Sequence, residues 1–260
     1  MASSLGLMVC SFDSGGLETV TGSTIEFTTV NVPKSDTWHY ISGKYTEVLT
    51  TTFQVCKKGC LLDQDDYYFS LDEIRLINRW LLRTDSYKKF KIYCESVPGY
   101  EDVFFNAYIN SVNPIRINGG TVGFEITATT DKPYGYFETK TMNFEFTDDA
   151  KALQCIDVSD EIGSSYPVFT LTMKSGGDLI LSNLFSHKTM KITGCQSGEV
   201  ITIDSKKRII SSSVRADIIK YFNFCWLDIA NDEYDCLNTY KSNLNCTMKI
   251  EYNPVAKVGL

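Results

Sequence analysis

The groups in this sequence that could do chemistry are few and scattered. The chain has 260 residues, with two histidines, nine cysteines and 32 acidic side chains. A Ser-His-Asp enzyme would have to use one of the two histidines. His39 stands between Trp38 and Tyr40, and His187 closes the loop-like run Asn183-Leu184-Phe185-Ser186, so both read as structural or solvated. Cys56 and Cys60 are the one close cysteine pair, spaced C-x3-C. A zinc site calls for C-x2-C-like pairs with further Cys or His at motif spacing. Lys57-Lys58-Gly59 reads instead as a hairpin loop with Gly59 in the left-handed conformation. The acidic run Asp63-Gln64-Asp65-Asp66 lacks the glycine and distal glutamate of an EF-hand loop, which makes it a solvated turn. No nucleotide-binding loop, nucleophile elbow or H-E-x-x-H pair occurs. No two acids stand out as the facing carboxylates of a glycosidase. The expectation is a chain with no catalytic residues, no metal and no cofactor.

What the sequence does offer is surface for binding. Aromatic residues reach 13%, with 15 Tyr, 15 Phe and 3 Trp; such rings fill cores, stack on sugars and anchor protein interfaces. Arg75, Arg79 and Arg83 fall at i, i+4 and i+8, one stripe if the segment is helical. That stripe is either a solvated face or an ion-pairing surface for a neighbouring subunit, since arginine suits bidentate carboxylate pairing. In the second case Asp63, Asp65 and Asp66 are the candidate counterpart on the next copy.

Composition narrows the class. A formal charge of -7 and a pI near 5.0 argue against a nucleic-acid binder, which needs a basic face. Hydrophobic content of 43% against 22% charged is that of a globular chain. No apolar run reaches the ~20 residues of a membrane span. Met1 to Phe12 lacks a basic region followed by an apolar stretch, so no signal peptide is expected. Nine is an odd number of cysteines, and the expectation is free thiols in a reducing compartment.

The elements that must position these residues are mostly strands. Period-two patterns run through Thr24–Thr28, Val48–Val55, Lys89–Tyr93, Phe105–Val112 and Gly123–Thr127, the last after the turn signal Asn118-Gly119-Gly120. Beyond residue 140 short strands follow at Met142–Phe146, Val168–Met173, Asp178–Leu181, Met190–Ile192, Val200–Ile203, Arg208–Ser211 and Thr247–Tyr252. Strands at such spacing, broken by turns such as Ser175-Gly176-Gly177 and Ser205-Lys206-Lys207, signal a sandwich or barrel. One segment is helical. Ser70-Leu71-Asp72-Glu73 has the form of a capping box, and Ile74, Ile77 and Leu81 recur at helical spacing, with Leu76 and Trp80 widening the stripe. The helix is expected over Leu71–Leu82. The fold class is therefore mainly β with one α-helix, in two domains, 1–140 and 141–260.

The order of these pieces resembles the distal tail protein (Dit) family of long-tailed bacteriophages. In the first half the resemblance rests on Tyr40-Ile41-Ser42-Gly43 before the strand to Val55, and on Ile77-Asn78-Arg79-Trp80-Leu81 ending the helix. It continues through Tyr87-Lys88-Lys89-Phe90, the tract Tyr100 to Ala107, and the closing Asp131-Lys132-Pro133-Tyr134-Gly135-Tyr136. In the second half it rests on Tyr166-Pro167-Val168-Phe169-Thr170-Leu171, Gly177–Asn183 and Gly198–Asp204. The resemblance implies an N-terminal belt domain that closes into a homohexameric ring and a C-terminal galectin-like β-sandwich. It implies a structural virion protein at the tail tip, made in the host bacterial cytoplasm. Its partners would be the tail tube protein, the tail-tip protein, and receptor-binding or fibre proteins. DNA would pass through the lumen without specific binding, and no membrane is involved. Two other readings remain open. One is a carbohydrate-binding adhesion module for host cell-wall saccharide, with Trp226 or Tyr221 as the stacking ring. The other is a cell-wall hydrolase.

Overall fold

The computed structural model describes residues 6–10, 24–32, 36–57, 67–92, 99–232 and 237–258. Its contacts divide into two units, one within residues 1–135 and one over Tyr136–Lys257. Both are β-rich, and Leu71–Leu82 is the α-helix.

The first unit holds β1 (Leu7–Cys10), β2 (Ile25–Asn31), β3 (Trp38–Tyr45), β4 (Thr50–Lys57), α1 (Leu71–Leu82), β5 (Lys88–Phe90), β6 (Val103–Ile117) and β7 (Gly120–Thr130). β1, β4, β7 and β6 lie side by side, with β5 also on β6, and every pairing is antiparallel. Asn118 and Gly119 join β6 to β7 with φ of 50° and 83°. Two consecutive left-handed residues make the turn whose twist matches the strands it joins.

α1 begins as its sequence dictates. The Glu73 N–H donates to Ser70 Oγ at 3.3 Å and the Ser70 N–H donates to Glu73 Oε2 at 2.7 Å, which satisfies two of the orphan amides of the first turn. Lys57, at the end of β4, adds an ion pair to Glu73 Oε1 at 3.1 Å. Ile77 is buried, and Ile74, Trp80 and Leu81 are half-buried, against a cluster of Leu7, Val55, Phe69, Phe124 and Ile126. The expected stripe is narrower than its spacing suggested, because Leu76 is exposed: it sits one position off the face that meets the sheet.

Two of the expected strands depart from what their alternation implied. The alternation at Lys89–Tyr93 gives a strand only to Phe90, and Tyr93 lies outside the described residues. Thr24–Thr28 is a strand, but its alternation marks no buried face, since every residue of β2 is exposed.

The second unit runs from β8 (Gly135–Phe137) through β9 (Lys140–Phe146), β10 (Ala152–Ile156), β11 (Gly163–Ser165), β12 (Val168–Met173), β13 (Gly177–Asn183), β14 (Lys188–Cys195), β15 (Val200–Asp204) and β16 (Ile209–Ser212). It ends with β17 (Ile229–Asn231), β18 (Leu237–Ser242), β19 (Cys246–Tyr252) and β20 (Val255–Ala256). A five-stranded sheet orders β16-β15-β12-β19-β9 and a four-stranded sheet orders β10-β18-β13-β14. Burial alternates along β12 and β19 with no exception, as it must where one face of a sheet is covered. Phe169, Leu171, Ile201, Ile203, Met248 and Ile250 from one sheet share a core with Leu179, Leu181, Met190, Ile192 and Tyr240 from the other. The result is a two-sheet sandwich.

Candidate assembly surface

β2 and β3 form a two-stranded sheet of their own. Residues Ile25↔Tyr45 to Thr28↔Ser42 pair in register, and a bulge at Ile41 then shifts the pairing to Thr29↔Tyr40, Val30↔His39 and Asn31↔Trp38. Trp38 is 64% exposed and Phe27 61%, and Tyr40, Ile41, Val30 and Ile25 are exposed with them. The Phe27 and Tyr40 rings meet edge to face at 5.9 Å. Beneath them, a Cβ on Gly43 would come within 3.2–3.3 Å of Ile25, Tyr40 and Phe27, so the glycine leaves room for the side chains to lie across the hairpin. An isolated two-stranded hairpin is marginal in water, and a contiguous apolar patch of this kind marks an interaction surface.

The arginine stripe occupies the wet side of α1. Arg75, Arg79 and Arg83 are all exposed. Arg75 pairs with Asp72 at 3.4 Å, three residues back on the same helix. Arg79 and Arg83 make no ion pair among the described residues. Asp63, Asp65 and Asp66, the expected counterpart, lie outside the described residues.

The expected sugar platform at Trp226 is not available. Trp226 is 8% exposed, its ring edge-on to Phe222 at 4.8 Å and covered by the Arg208 guanidinium at 5.7 Å, so it belongs to the sandwich core. Tyr221 is exposed and carries the Arg215 guanidinium at 5.1 Å from its ring.

Two buried carboxylates in the second unit escaped the sequence reading. Asp228 has no exposed side-chain surface and accepts from Ser164 Oγ at 2.7 Å, Ser186 Oγ at 2.7 Å and Lys188 Nζ at 2.6 Å. Burial alone would raise its carboxyl, but Lys188 and the two serines hold it below the ordinary carboxylate value. Glu199, also fully buried, accepts from Arg215 Nε at 2.9 Å and Nη2 at 3.2 Å. Burial is again outweighed, here by Ser212, the Gln196 amide and Arg215. Glu199 takes four donors and Asp228 three, and both are enclosed, which suits them to hold strands together and keeps them from a substrate. The side-chain partners are remote in sequence, 40 to 64 residues away for Asp228, and no local motif signals them.

The cysteines do not assemble into a site. Cys60 lies outside the described residues, and the thiol beside Cys56 is Cys10, two residues along β1 from Met8, the residue Cys56 pairs with. Burial and the neighbouring Cys56 push the Cys10 thiol up to about 12, far from the low value a nucleophilic thiolate needs. No cluster of three or more His, Cys, Asp or Glu among the described residues could hold a metal. No helix among them is long and apolar enough to cross a membrane.

Known proteins place this architecture. Residues 1–132 match the family described as phage tail protein N-terminal domain, and residues 134–252 match the one described as phage tail C-terminal domain. The chain belongs to this phage tail protein family. The tail protein is 29% identical over 191 residues to the SPbeta prophage-derived uncharacterized protein YomH of Bacillus subtilis (strain 168), which spans 70% of this chain and 69% of that one. Its fold is that of the Dit protein of phage SPP1, described as a paradigm of hub adsorption apparatus in phages infecting Gram-positive bacteria. The TM-score is 0.62 at 11% identity, over 95% of this chain and 98% of that one. A chain of the phage p2 baseplate in its activated conformation gives a TM-score of 0.48 at 10% identity, over 95% and 90%.

Sequence reasoning missed the exposed face of β2–β3 in the tail protein. A signal was present: Trp38, Tyr40 and Ile41 put bulky apolar residues at both parities of one strand, which is how a strand covered on both faces reads.

Proposed function

We propose that the tail protein is the distal tail hub of a long-tailed phage, a structural component without catalytic activity. Six copies close into a ring that joins the tail tube to the tail-tip protein and to receptor-binding or fibre proteins. The first unit is the ring-forming belt, and the second is a galectin-like sandwich. The likeness to the SPP1 Dit fold along nearly the whole chain carries this reading.

The exposed hairpin supports it. Ring closure requires one surface of each copy to meet a different surface of the next, and β2–β3 presents Trp38, Phe27, Tyr40 and Ile41 with no cover among the described residues. A chain of charge -7 can line a conduit for DNA without retaining it, since like charges repel. The protein is made in the host cytoplasm and ends in the virion at the tail tip.

Electron microscopy of assembled tails, averaged without imposed symmetry, tests the ring, with antibody labelling to place the protein along the tail. Six-fold density at the tip is the expected result. A different ring order, or label along the tube instead of at its end, defeats the proposal.

A further inference from the structure

Two cations share one tyrosine ring on the sandwich unit. Lys188 Nζ lies 5.0 Å and Arg208 Cζ 5.2 Å from the centre of the Tyr166 ring. Arg208 is sandwiched further by Trp226 at 5.7 Å. Its backbone is left-handed, with φ of 59° in the turn from β15 to β16, a conformation that costs a non-glycine residue free energy. The residue is exposed, and its guanidinium makes no hydrogen bond or ion pair among the described residues.

The same unit shows what completes a ring-stacked arginine. Arg215 lies 5.1 Å over Tyr221 and donates both fork nitrogens to the Glu199 carboxylate, at 2.9 and 3.2 Å. Arg208 has the stacking without the carboxylate. Asp228 cannot serve, because its two oxygens already take Ser164, Ser186 and Lys188 and it is fully enclosed. Among the described residues the pair Lys188 and Arg208 thus has one carboxylate for two positive charges. Like charges gathered on one ring are costly unless an anion offsets them. A guanidinium lying against two rings and an ammonium held by a buried acid lose less freedom than unsupported side chains when an anion arrives.

We infer that Arg208, Lys188 and Tyr166 form a docking site for a carboxylate of an acidic segment on a partner protein. Arg208 supplies the two-pronged hydrogen bond, Lys188 the second positive charge, and Tyr166 the platform that holds both.

The test titrates the full chain at low salt with a hexaglutamate peptide and with hexaglutamine, following the Arg208 Nε–Hε resonance. Hexaglutamate should bind and shift that resonance, and hexaglutamine should not. R208Q should weaken hexaglutamate binding about tenfold or more, the scale of one charge-assisted bidentate contact. R208K should restore part of the loss, since it returns the charge but not the fork. K207Q makes the same charge change one residue away, on a lysine already paired with Asp204 at 3.4 Å, and should leave binding nearly unchanged. Equal losses from R208Q and K207Q would reduce the site to a diffuse basic turn and overturn the proposal. So would tighter binding of poly(glycerol phosphate) than of hexaglutamate, which would assign the site to a phosphate polymer.

Discussion

Phe169 and Phe27 both stand in antiparallel strands, and each meets a tyrosine edge-on, Tyr240 at 5.8 Å and Tyr40 at 5.9 Å. Phe169 has no exposed surface, whereas Phe27 is 61% exposed. The ring pairs are alike; what differs is the layer above them. In the second unit a facing sheet closes over the first, and Leu179, Leu181 and Met190 fill the space between. Above β2–β3 no layer stands among the described residues. A sheet face with such rings needs a second layer; the sandwich finds one among the described residues, and under the proposed function the hairpin takes its own from another surface. In the proposed ring, that surface belongs to the next copy.

This contrast breaks most sharply at the two phenylalanines themselves. Phe169→Ala should cost about 3–5 kcal/mol, transfer and cavity together. Phe27→Ala in the unassembled protein should change stability by no more than about 0.5 kcal/mol. Urea unfolding of both variants measures the difference. A large loss from Phe27→Ala would mean the hairpin is already packed within one chain.

The closed unit should also lose stability in acid through its two fully buried carboxylates. Asp228→Ala should cost about 1–3 kcal/mol, because the Ser164 and Ser186 hydroxyls and the partly exposed Lys188 all lose their acceptor. The pH dependence has a fixed sign. The Asp228 and Glu199 carboxyls are held below their ordinary values in the folded protein. Their contribution is therefore complete above the unfolded carboxylate range, about pH 4, and fades as pH falls through the lower folded values. Thermal unfolding between pH 3 and 7 should show this acid loss in the wild type, and less of it in Asp228→Asn. An identical acid limb in both would exclude Asp228 as a source.

Smaller effects belong to the first unit. Ser70→Ala removes one arm of the capping box and should cost about 1 kcal/mol, seen as faster amide exchange in α1 with the sandwich unchanged. Leu81→Ala should fall below the range for a fully buried leucine, since Leu81 is only half-buried. Smallest of all, Arg79→Glu should leave monomer stability within about 0.5 kcal/mol. Assembly of tails from that variant decides whether the stripe meets a neighbouring copy; wild-type yield would leave it a solvated face.

How far the sequence revealed this architecture depended on whether local pattern and burial coincide. The helix was legible to the residue, because Ser70 and Glu73 fix its start by bonds three residues apart. β12 and β19 were legible because every inward position is apolar. β18 was not, since its buried positions are Asn238, Tyr240 and Ser242. Asn238 faces inward to bond the backbone of Ala230 and the side chain of Asn183, an arrangement hydropathy cannot register. The burial of Trp226, one of the two rings considered for the alternative sugar-binding reading, was hidden for the converse reason: residue type carries no statement of which side the backbone turns it. The ring-stacked Arg208 was invisible because Tyr166, Lys188 and Trp226 come together only in the folded sandwich.

The β2–β3 hairpin also has a consequence for how the protein can be produced. Among the described residues no third strand joins this sheet, and exposed strand edges are templates for fibre growth when a chain waits unassembled. Its guards are local. The bulge at Ile41 interrupts the flat run of backbone donors and acceptors, and Glu26 with Lys44, paired at 3.3 Å, places charge on the face opposite the Phe27 and Tyr40 rings. Those guards slow self-association without abolishing it. The dose of this chain relative to its neighbours in the tail, and the time it spends waiting for them, should therefore govern its solubility more than its folding free energy does.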